Sequence, residues 1–282
     1  MIYYFKKFTK KFLEILIRNF HKSNFSSNSS SVKLENFIAF LCKNKIRFDY
    51  DNKEKIFTVS DGENKLNFFN KIRGIYLYRD GIVNRANFIY SSYCLDHITF
   101  SQDDLVVDCG ANFGDLMLKL SNYIKPSNYI AIEPDPSCFN ILKRNVSNQS
   151  ILINKALGNT NSILPFYVSI EEADSSLVKP AYFTEEIKVP VIRLEQLIEK
   201  LDIKKIKLLK VEAEGYEPEI LEGLGNAIKI CEYIAIDGGY ERGVSSEQTF
   251  TTVSNYLLNN GFEMKDIYFP WYRALFVKKI YD

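Results

Sequence analysis

From Leu105 onward the chain repeats one pattern: a short apolar run, a polar turn, then a stretch whose apolar residues recur at helical spacing. The runs 105–109, 129–133, 151–154, 206–211 and 233–237 have strand length. The stretches 115–124, 136–146, 193–201, 218–229 and 247–260 read as amphipathic helices, with Pro136 well placed in the first turn of its own. Strands alternating with helices at this interval predict a largely parallel sheet covered on both faces. Two last runs, 262–268 and 273–279, are joined only through Phe269, Pro270 and Trp271. That link is too short for a parallel crossover, so the two run antiparallel to each other. The predicted fold class is therefore α/β: a Rossmann-like, doubly wound, seven-stranded, mostly parallel sheet with the last strand antiparallel. Strands at 163–168 and 187–191, around a polar loop at 170–183, form an irregular insert.

Upstream of this region the pattern is weaker. Residues 33–44 predict a helix, and 46–50, 56–59 and 75–78 predict short strands, an N-terminal helical and β extension to the sheet. Residues 23–31 read S-N-F-S-S-N-S-S-S, a polar linker with no reason to pack. Residues 1–22 carry Lys6, Lys7, Lys10, Lys11, Arg18 and Lys22, with Phe5, Phe8, Phe12, Leu16 and Phe20 at helical spacing. Glu14 and Arg18 interrupt the apolar run and no small-residue cleavage site follows, so a signal peptide is not expected. The segment reads either as a helix packed on the domain or a partner protein, or as one lying on a membrane surface. The expected organisation is a basic amphipathic segment and linker over 1–32, an α+β extension over 33–100 on the acceptor side, and the catalytic domain over 101–282.

Composition narrows the function classes. Lys and Arg number 36 against 35 Asp and Glu, so no global field favours a nucleic-acid partner. The five cysteines are scattered without C-x-x-C spacing, which argues against a disulfide framework or a zinc site and for a reducing, cytoplasmic setting. No apolar stretch is long enough to predict a membrane span.

The ends of the first two strands carry the candidate chemistry. The first ends in Asp108-Cys-Gly-Ala-Asn-Phe-Gly, where Gly110 and Gly114 allow a tight turn and close approach of backbone to a ligand. The second ends in Glu133, placed to accept both hydroxyls of a ribose. A dinucleotide site needs G-x-G-x-x-G so that a helix N-terminus meets a pyrophosphate. This loop has no G-x-G pair, and its helix begins with Asp115, which would repel phosphate. S-adenosylmethionine has no phosphate and carries a sulfonium cation, so acidic neighbours suit it and a nicotinamide cofactor does not fit.

The run D-C-G-A-N-F-G-D, then I-E-P-D-P with Phe139 and Asn145, then L-K-V-E-A-E-G-Y-E-P-E-I-L-E-G resembles the FkbM family of S-adenosylmethionine-dependent methyltransferases over roughly 75–282. The resemblance implies that Asp108, Gly110, Asn112 and Gly114 hold the methionine part of the cofactor and Glu133 the ribose. Ala156 and Leu157 would flank the adenine. Ala111 and Pro134, inside the two turns, join this set. The family usually has Asp where this chain has Glu212, so the acid here reaches one methylene further. The acceptor it implies is a hydroxyl of a sugar, glycan or other polyhydroxylated metabolite.

At the reacting end, Lys210, Glu212 and Glu214 gather at the end of the fourth strand and Asp237 ends the fifth. They are the candidate catalytic residues, with Lys210 able to act as a base if its surroundings lower its pKa. Glu217 and Glu219 read as a surface ion-pair cluster capping a helix, and His97 as a structural or surface residue. A divalent cation on these carboxylates is conceivable in chemistry but not expected. The glycine-rich loop from Asp237 to Gly243, with Tyr240, Glu241 and Arg242, reads as an acceptor-side loop, and Tyr78, Arg79 and Asp80 as closing the pocket from the other side. Two alternatives stand beside this reading. A nucleic-acid methyltransferase would want a basic face, whereas the run E-A-E-G-Y is acidic. A non-catalytic cofactor- or glycan-binding scaffold would bind without turnover.

Overall fold

The structure is a computed structural model that describes residues 27–42, 44–169 and 175–279. The basic segment 1–22 and residues 170–174 of the polar loop lie outside the described residues. The chain divides into two compact units between Arg85 and Ala86.

In the first unit, α1 (Asn28–Leu41) begins five residues' worth of sequence earlier than its pattern suggests, because Ser27 caps it: the Ser27 hydroxyl accepts from Ser30 N at 3.1 Å. Ser31, expected in an unpacked linker, is buried inside this helix. Asn36 of α1 bonds both ways to Phe48, its amide donating to the carbonyl at 2.8 Å and accepting from the N–H at 2.7 Å. Phe48 belongs to the meander β1 (Ile46–Asp51), β2 (Ile56–Asp61) and β3 (Asn64–Phe68). Period-two burial puts Ile46, Phe48, Phe57, Val59, Leu66 and Phe68 inside. Residues 75–78, expected as a strand, belong to helix α2 (Lys71–Tyr78), which buries Gly74, Ile75 and Tyr78. An apolar run that short does not distinguish the two periods. Tyr78 is fully buried and Arg79 pairs with Glu35 at 2.8 Å, so both contribute to the inside of this unit.

The second unit holds the expected sheet. Its strands are β4 (Val106–Cys109), β5 (Tyr129–Ile132), β6 (Ile151–Ile153), β10 (Ile206–Val211), β11 (Cys231–Asp237), β14 (Phe262–Tyr268) and β15 (Arg273–Lys278). Their spatial order is β14-β15-β11-β10-β4-β5-β6, and only β15 runs against its neighbours. The insert forms its own sheet from β7 (Ala156–Leu157), β8 (Ser162–Val168) and β9 (Glu185–Ile192). Both faces of the large sheet are buried. One packs α6 (Leu194–Lys200), α7 (Glu217–Leu224) and α8 (Phe250–Asn259) against Val107, Ile130, Leu209, Val211, Ile234 and Ile236. The other packs the end of α3 (Ile82–Ser92), α4 (Asp115–Leu120) and α5 (Pro136–Asn145) against Val106, Ala131, Leu208, Ala235 and Leu275. Successive strands spread to one side from β4 and to the other from β10. The order therefore reverses between these two, where an open α/β sheet binds ligands.

Candidate active site

The second face carries more than apolar residues. Period two places Asp108 with Val106, Lys210 with Leu208, Asp237 with Ala235 and Arg273 with Leu275. Register then sets them side by side: Lys210 lies opposite Asp108 across the parallel β10–β4 pair, and Asp237 opposite Arg273 across the antiparallel β11–β15 pair. The result is a buried chain of alternating charge. Lys210 Nζ lies 3.0 Å from Asp108 Oδ1 and 2.8 Å from Glu212 Oε2, and donates to the Gly110 carbonyl at 2.8 Å. Arg273 continues it, with Nη2 on Glu212 Oε1 and Nε on Asp237 Oδ2, both at 2.7 Å, and Nη1 on Ser92 Oγ at 2.9 Å. Tyr93 lies under the Arg273 guanidinium, 4.3 Å from ring centroid to Cζ. Tyr129 closes the other end, donating to Asp108 Oδ2 at 2.5 Å.

These surroundings decide the charge states. Burial works against the Lys210 ammonium, but Asp108 and Glu212 outweigh it and raise its pKa. Lys210 thus keeps its proton at neutral pH and does not offer the free amine that a base requires. Burial would raise Glu212, yet Lys210 and Arg273 pull it well below the usual carboxylate range. The extra methylene of Glu212 lets one carboxylate bridge both cations.

On the other side of the switch point, Glu133 is buried at the end of β5. Its Oε2 accepts from Asn112 N and its Oε1 from Asp135 N, both at 2.9 Å, so it ties the first loop to the second. Burial pushes it up to about 7, with the N–H from Asp135 pulling the other way. Asn112 has a left-handed φ of 47°, and its Oδ1 is buried without a hydrogen-bond partner. The two glycines also allow close packing of protein on protein. A Cβ on Gly110 would stand 2.0 Å from the Glu212 carbonyl oxygen, and one on Gly114 would stand 2.6 Å from Val146 Cγ2. Both let protein meet protein closely. Ala111 is buried, its N–H donating to the Ile132 carbonyl at 3.1 Å, and Asn154 Nδ2 donates to the Pro134 carbonyl at 3.1 Å. Ala156 and Leu157 are buried too, Leu157 in the main core and Ala156 in the small core of the insert, so their side chains spend their surface on the protein itself.

The loop after β10 brings further acids in. Glu214 takes a left-handed φ of 50°, and its carboxyl hydrogen-bonds that of Glu241 on β12 (Tyr240–Arg242). Burial, then the charge of Asp237, push Glu241 up to about 8. Asp237 Oδ1 accepts from Gly239 N at 3.1 Å. Among the described residues no group of three or more His, Cys, Asp or Glu side chains is gathered to hold a metal ion. The carboxylates of Glu212 and Asp237 are instead engaged by Arg273.

A model of the methyltransferase FkbM domain matches residues 108–264, more than half of the chain and all of the loops just described. The chain belongs to this family. It is 26% identical over 198 residues to Methyltransferase 1 of Beauveria bassiana, covering 62% of this chain and 78% of that one. It is 26% identical over 139 residues to the hexuronic acid methyltransferase AglP of Haloferax volcanii, covering 48% of this chain and 56% of that protein. The crystal structure of methyltransferase FkbM from Methylobacillus flagellatus has a TM-score of 0.45 at 19% identity, covering 64% of this chain and 45% of that one.

In this FkbM methyltransferase, Arg273, Tyr93 and Tyr129 escape a reading of the sequence. An arginine opening a strand looks like a solvated edge residue, and only the β11–β15 register sets it against Asp237. Glu217 is not the surface ion pair expected but is buried, accepting from Ala213 N at 2.8 Å, Gly215 N at 3.1 Å and Thr249 Oγ1 at 2.9 Å. It organises the loop that carries Glu212 and Glu214. Glu219 does pair with Arg242, at 2.6 Å, and His97 pairs with Asp266 at 2.7 Å on an exposed surface. No helix among the described residues is long and apolar enough to cross a membrane.

Glu217 yields a pH prediction. Burial pushes its pKa up to about 7 from 4.5, against the pull of its N–H and hydroxyl donors. A folded pKa above the unfolded one contributes stability that is complete below the unfolded value and is lost as pH rises through the folded value. Glu217→Gln keeps the amide oxygen on Ala213 and Gly215 and offers an N–H to Thr249. Urea denaturation at a series of pH values between about 5 and 8 is expected to show wild type losing up to about 3 kcal/mol more than the variant. Parallel curves would mean that Glu217 is solvated.

Proposed function

We propose that this methyltransferase takes its methyl group from S-adenosylmethionine and delivers it to a hydroxyl of a sugar, glycan or other polyhydroxylated metabolite. The observation that carries the reading is the pairing, at one switch point, of a buried acid suited to a ribose with a separate set of carboxylates suited to a hydroxyl. The cofactor side fits the chemistry of this ligand. Each Glu133 oxygen takes one backbone N–H and keeps a second lone pair for a ribose hydroxyl. The unpartnered Oδ1 of Asn112 suits the ammonium of the methionine part. Asp108, whose carboxylate faces Lys210 and Tyr129, acts through the loop it supports. When bound, the cofactor supplies a methyl carbon already activated by its sulfonium.

The acceptor side is the work of this chain alone. Arg273 holds Glu212 and Asp237 in place as hydrogen-bond acceptors that orient the hydroxyl. Lys210 is a positioning cation that keeps Asp108, Glu212 and the Gly110 carbonyl aligned. Glu241, sharing a hydrogen bond with Glu214 and pushed up to about 8, accepts the hydroxyl proton in its ionised form, which is the minor form at neutral pH. The surplus of acids disfavours a nucleic-acid phosphate here, and the name of the AglP relative supports the sugar class without fixing the charge of the sugar.

Calorimetric titration with S-adenosylmethionine and S-adenosylhomocysteine tests the cofactor. Wild type is expected to bind both, and Glu133→Ala at least tenfold more weakly, about 1–3 kcal/mol for lost hydrogen bonds to a charged group. A folded wild type that binds neither compound would sink the proposal.

A further inference from the structure

The mechanism leaves one surface of this unit unused. The turn between β14 and β15 carries Phe269, 70% exposed, and Trp271, 42% exposed, and the loop after β11 carries Tyr240, 58% exposed. Single exposed aromatics are common, but these three belong to two segments held against each other beside the acceptor carboxylates. The two segments are interlocked. Gly238 N donates to the Tyr272 carbonyl at 3.2 Å, and the Tyr240 ring meets the Tyr272 ring edge-on at 5.4 Å. Tyr272 itself is held at a left-handed φ of 54°, a conformation that a bulky residue keeps only where its surroundings impose it.

This surface borders the acceptor carboxylates. The Arg273 guanidinium lies 4.6 Å from the centroid of the Trp271 ring, and the same guanidinium holds Glu212 and Asp237. Phe88 packs edge-on against Trp271 at 4.9 Å, fixing its plane. Tyr240 stands between the Asp237 turn and Glu241 in the sequence of one short loop. With Arg273 over one face of Trp271, the rest of this exposed aromatic surface lies beside hydrogen-bonding carboxylates and matches the two-sided character of a pyranose ring. Its C–H face is apolar and weakly positive, complementary to the negative face of an aromatic ring. Its hydroxyls at the edge donate to carboxylates.

We propose that Trp271 and Tyr240 form the platform on which a pyranose acceptor stacks, and that this acceptor carries no negative charge. The inference rests on the hydroxyl-acceptor reading of the site and adds to it the sugar-binding residues and the charge class. The charge class follows from the local balance. Glu212, Glu214, Asp237 and Glu241 face the acceptor; the cations beside them are committed, Arg273 to Glu212 and Asp237 and Arg242 to Glu219, while Lys210 is enclosed by Asp108 and Glu212. A uronate would set its carboxylate against these acids without a free cation to receive it.

Trp271 is the single tryptophan of the chain, so its emission reports directly on the platform. The protein, loaded with S-adenosylhomocysteine as checked by calorimetry, is titrated with neutral methyl pyranosides of glucose, galactose, mannose and N-acetylglucosamine, and with glucuronate. At least one neutral pyranoside is expected to change the emission saturably, and glucuronate to bind at least tenfold more weakly. Tyr240→Ala is expected to weaken that pyranoside about tenfold while leaving the affinity for S-adenosylhomocysteine unchanged. Silence toward every sugar, equal or tighter binding of glucuronate, or an unaffected Tyr240→Ala variant would each overturn the platform. Failure of S-adenosylhomocysteine to bind would instead strike the underlying reading of the site.

Discussion

Replacing Lys210 by methionine is expected to lower the melting temperature by about 10 °C or more. The substitution conserves most of the side chain's volume and removes only its charge, which is 3% exposed. Asp108 Oδ1 and Glu212 Oε2 would then face each other without the cation between them, in a region shut off from water. Removing one member of a buried ion pair typically costs about 3–5 kcal/mol, because the abandoned charge remains buried. At about 2–4 °C per kcal/mol for a unit of this size, that places the shift near or above 10 °C. Adding Asp108→Asn to Lys210→Met should recover part of the loss, since it removes one of the two stranded charges. Lys210 remains protonated throughout the neutral range, so the effect should not vary with pH there. A Lys210→Met protein melting within about 2 °C of wild type would show that the network is hydrated and not the buried array described.

Gly110→Ala is expected to be nearly as damaging to stability and more damaging to the cofactor site. At φ 76° an L-residue is strained by about 1–2 kcal/mol, and the new Cβ would stand 2.0 Å from a backbone oxygen that cannot rotate away. Relief requires the loop after β4 to separate from the loop after β10, and overpacking of this kind costs about 1–3 kcal/mol more. That separation would pull the Gly110 carbonyl from Lys210 and tilt Asn112 away from Glu133. Gly62→Ala is the internal control: its φ is 65°, but nothing lies within 4 Å of its Cβ. Thermal melts should therefore rank Gly110→Ala well below Gly62→Ala, and calorimetry should find S-adenosylmethionine binding lost only in the former. Equal melting temperatures would mean that the close approach of the two loops has no structural weight.

Both predictions concern loops that the sequence announces and contacts that it does not. D-C-G-A-N-F-G reads as a ligand-binding turn from composition alone, and the turn is where it was expected. Its glycines also admit the Glu212 carbonyl and Val146, a close packing that the turn's composition does not announce. Lys210 is visible as a strand-end lysine among acids, a setting in which either a lowered or a raised pKa is conceivable. Its partners at 2.8 and 3.0 Å settle the direction as upward. Ala156 and Leu157 were expected beside the adenine from the family resemblance; the fold buries the Leu157 side chain in the main core and that of Ala156 in the small core of the insert.

The sequence by itself determined the seven strands of the large sheet, most of the helices between them, the reversal of the last strand, and the two loops that meet at the switch point. These depend on periodicity and turn chemistry within a few neighbouring residues, which a linear pattern records. It was less reliable before β4, where Ser27 starts α1 inside an apparent linker and four apolar residues of α2 pass for a strand. Only the tertiary structure decided that Asp108 meets Lys210, that Arg273 bridges Glu212 and Asp237, and that Tyr93 lies beneath them. Strand register brings together groups distant in the chain, and their energies come from low-dielectric proximity, which no local window of sequence encodes.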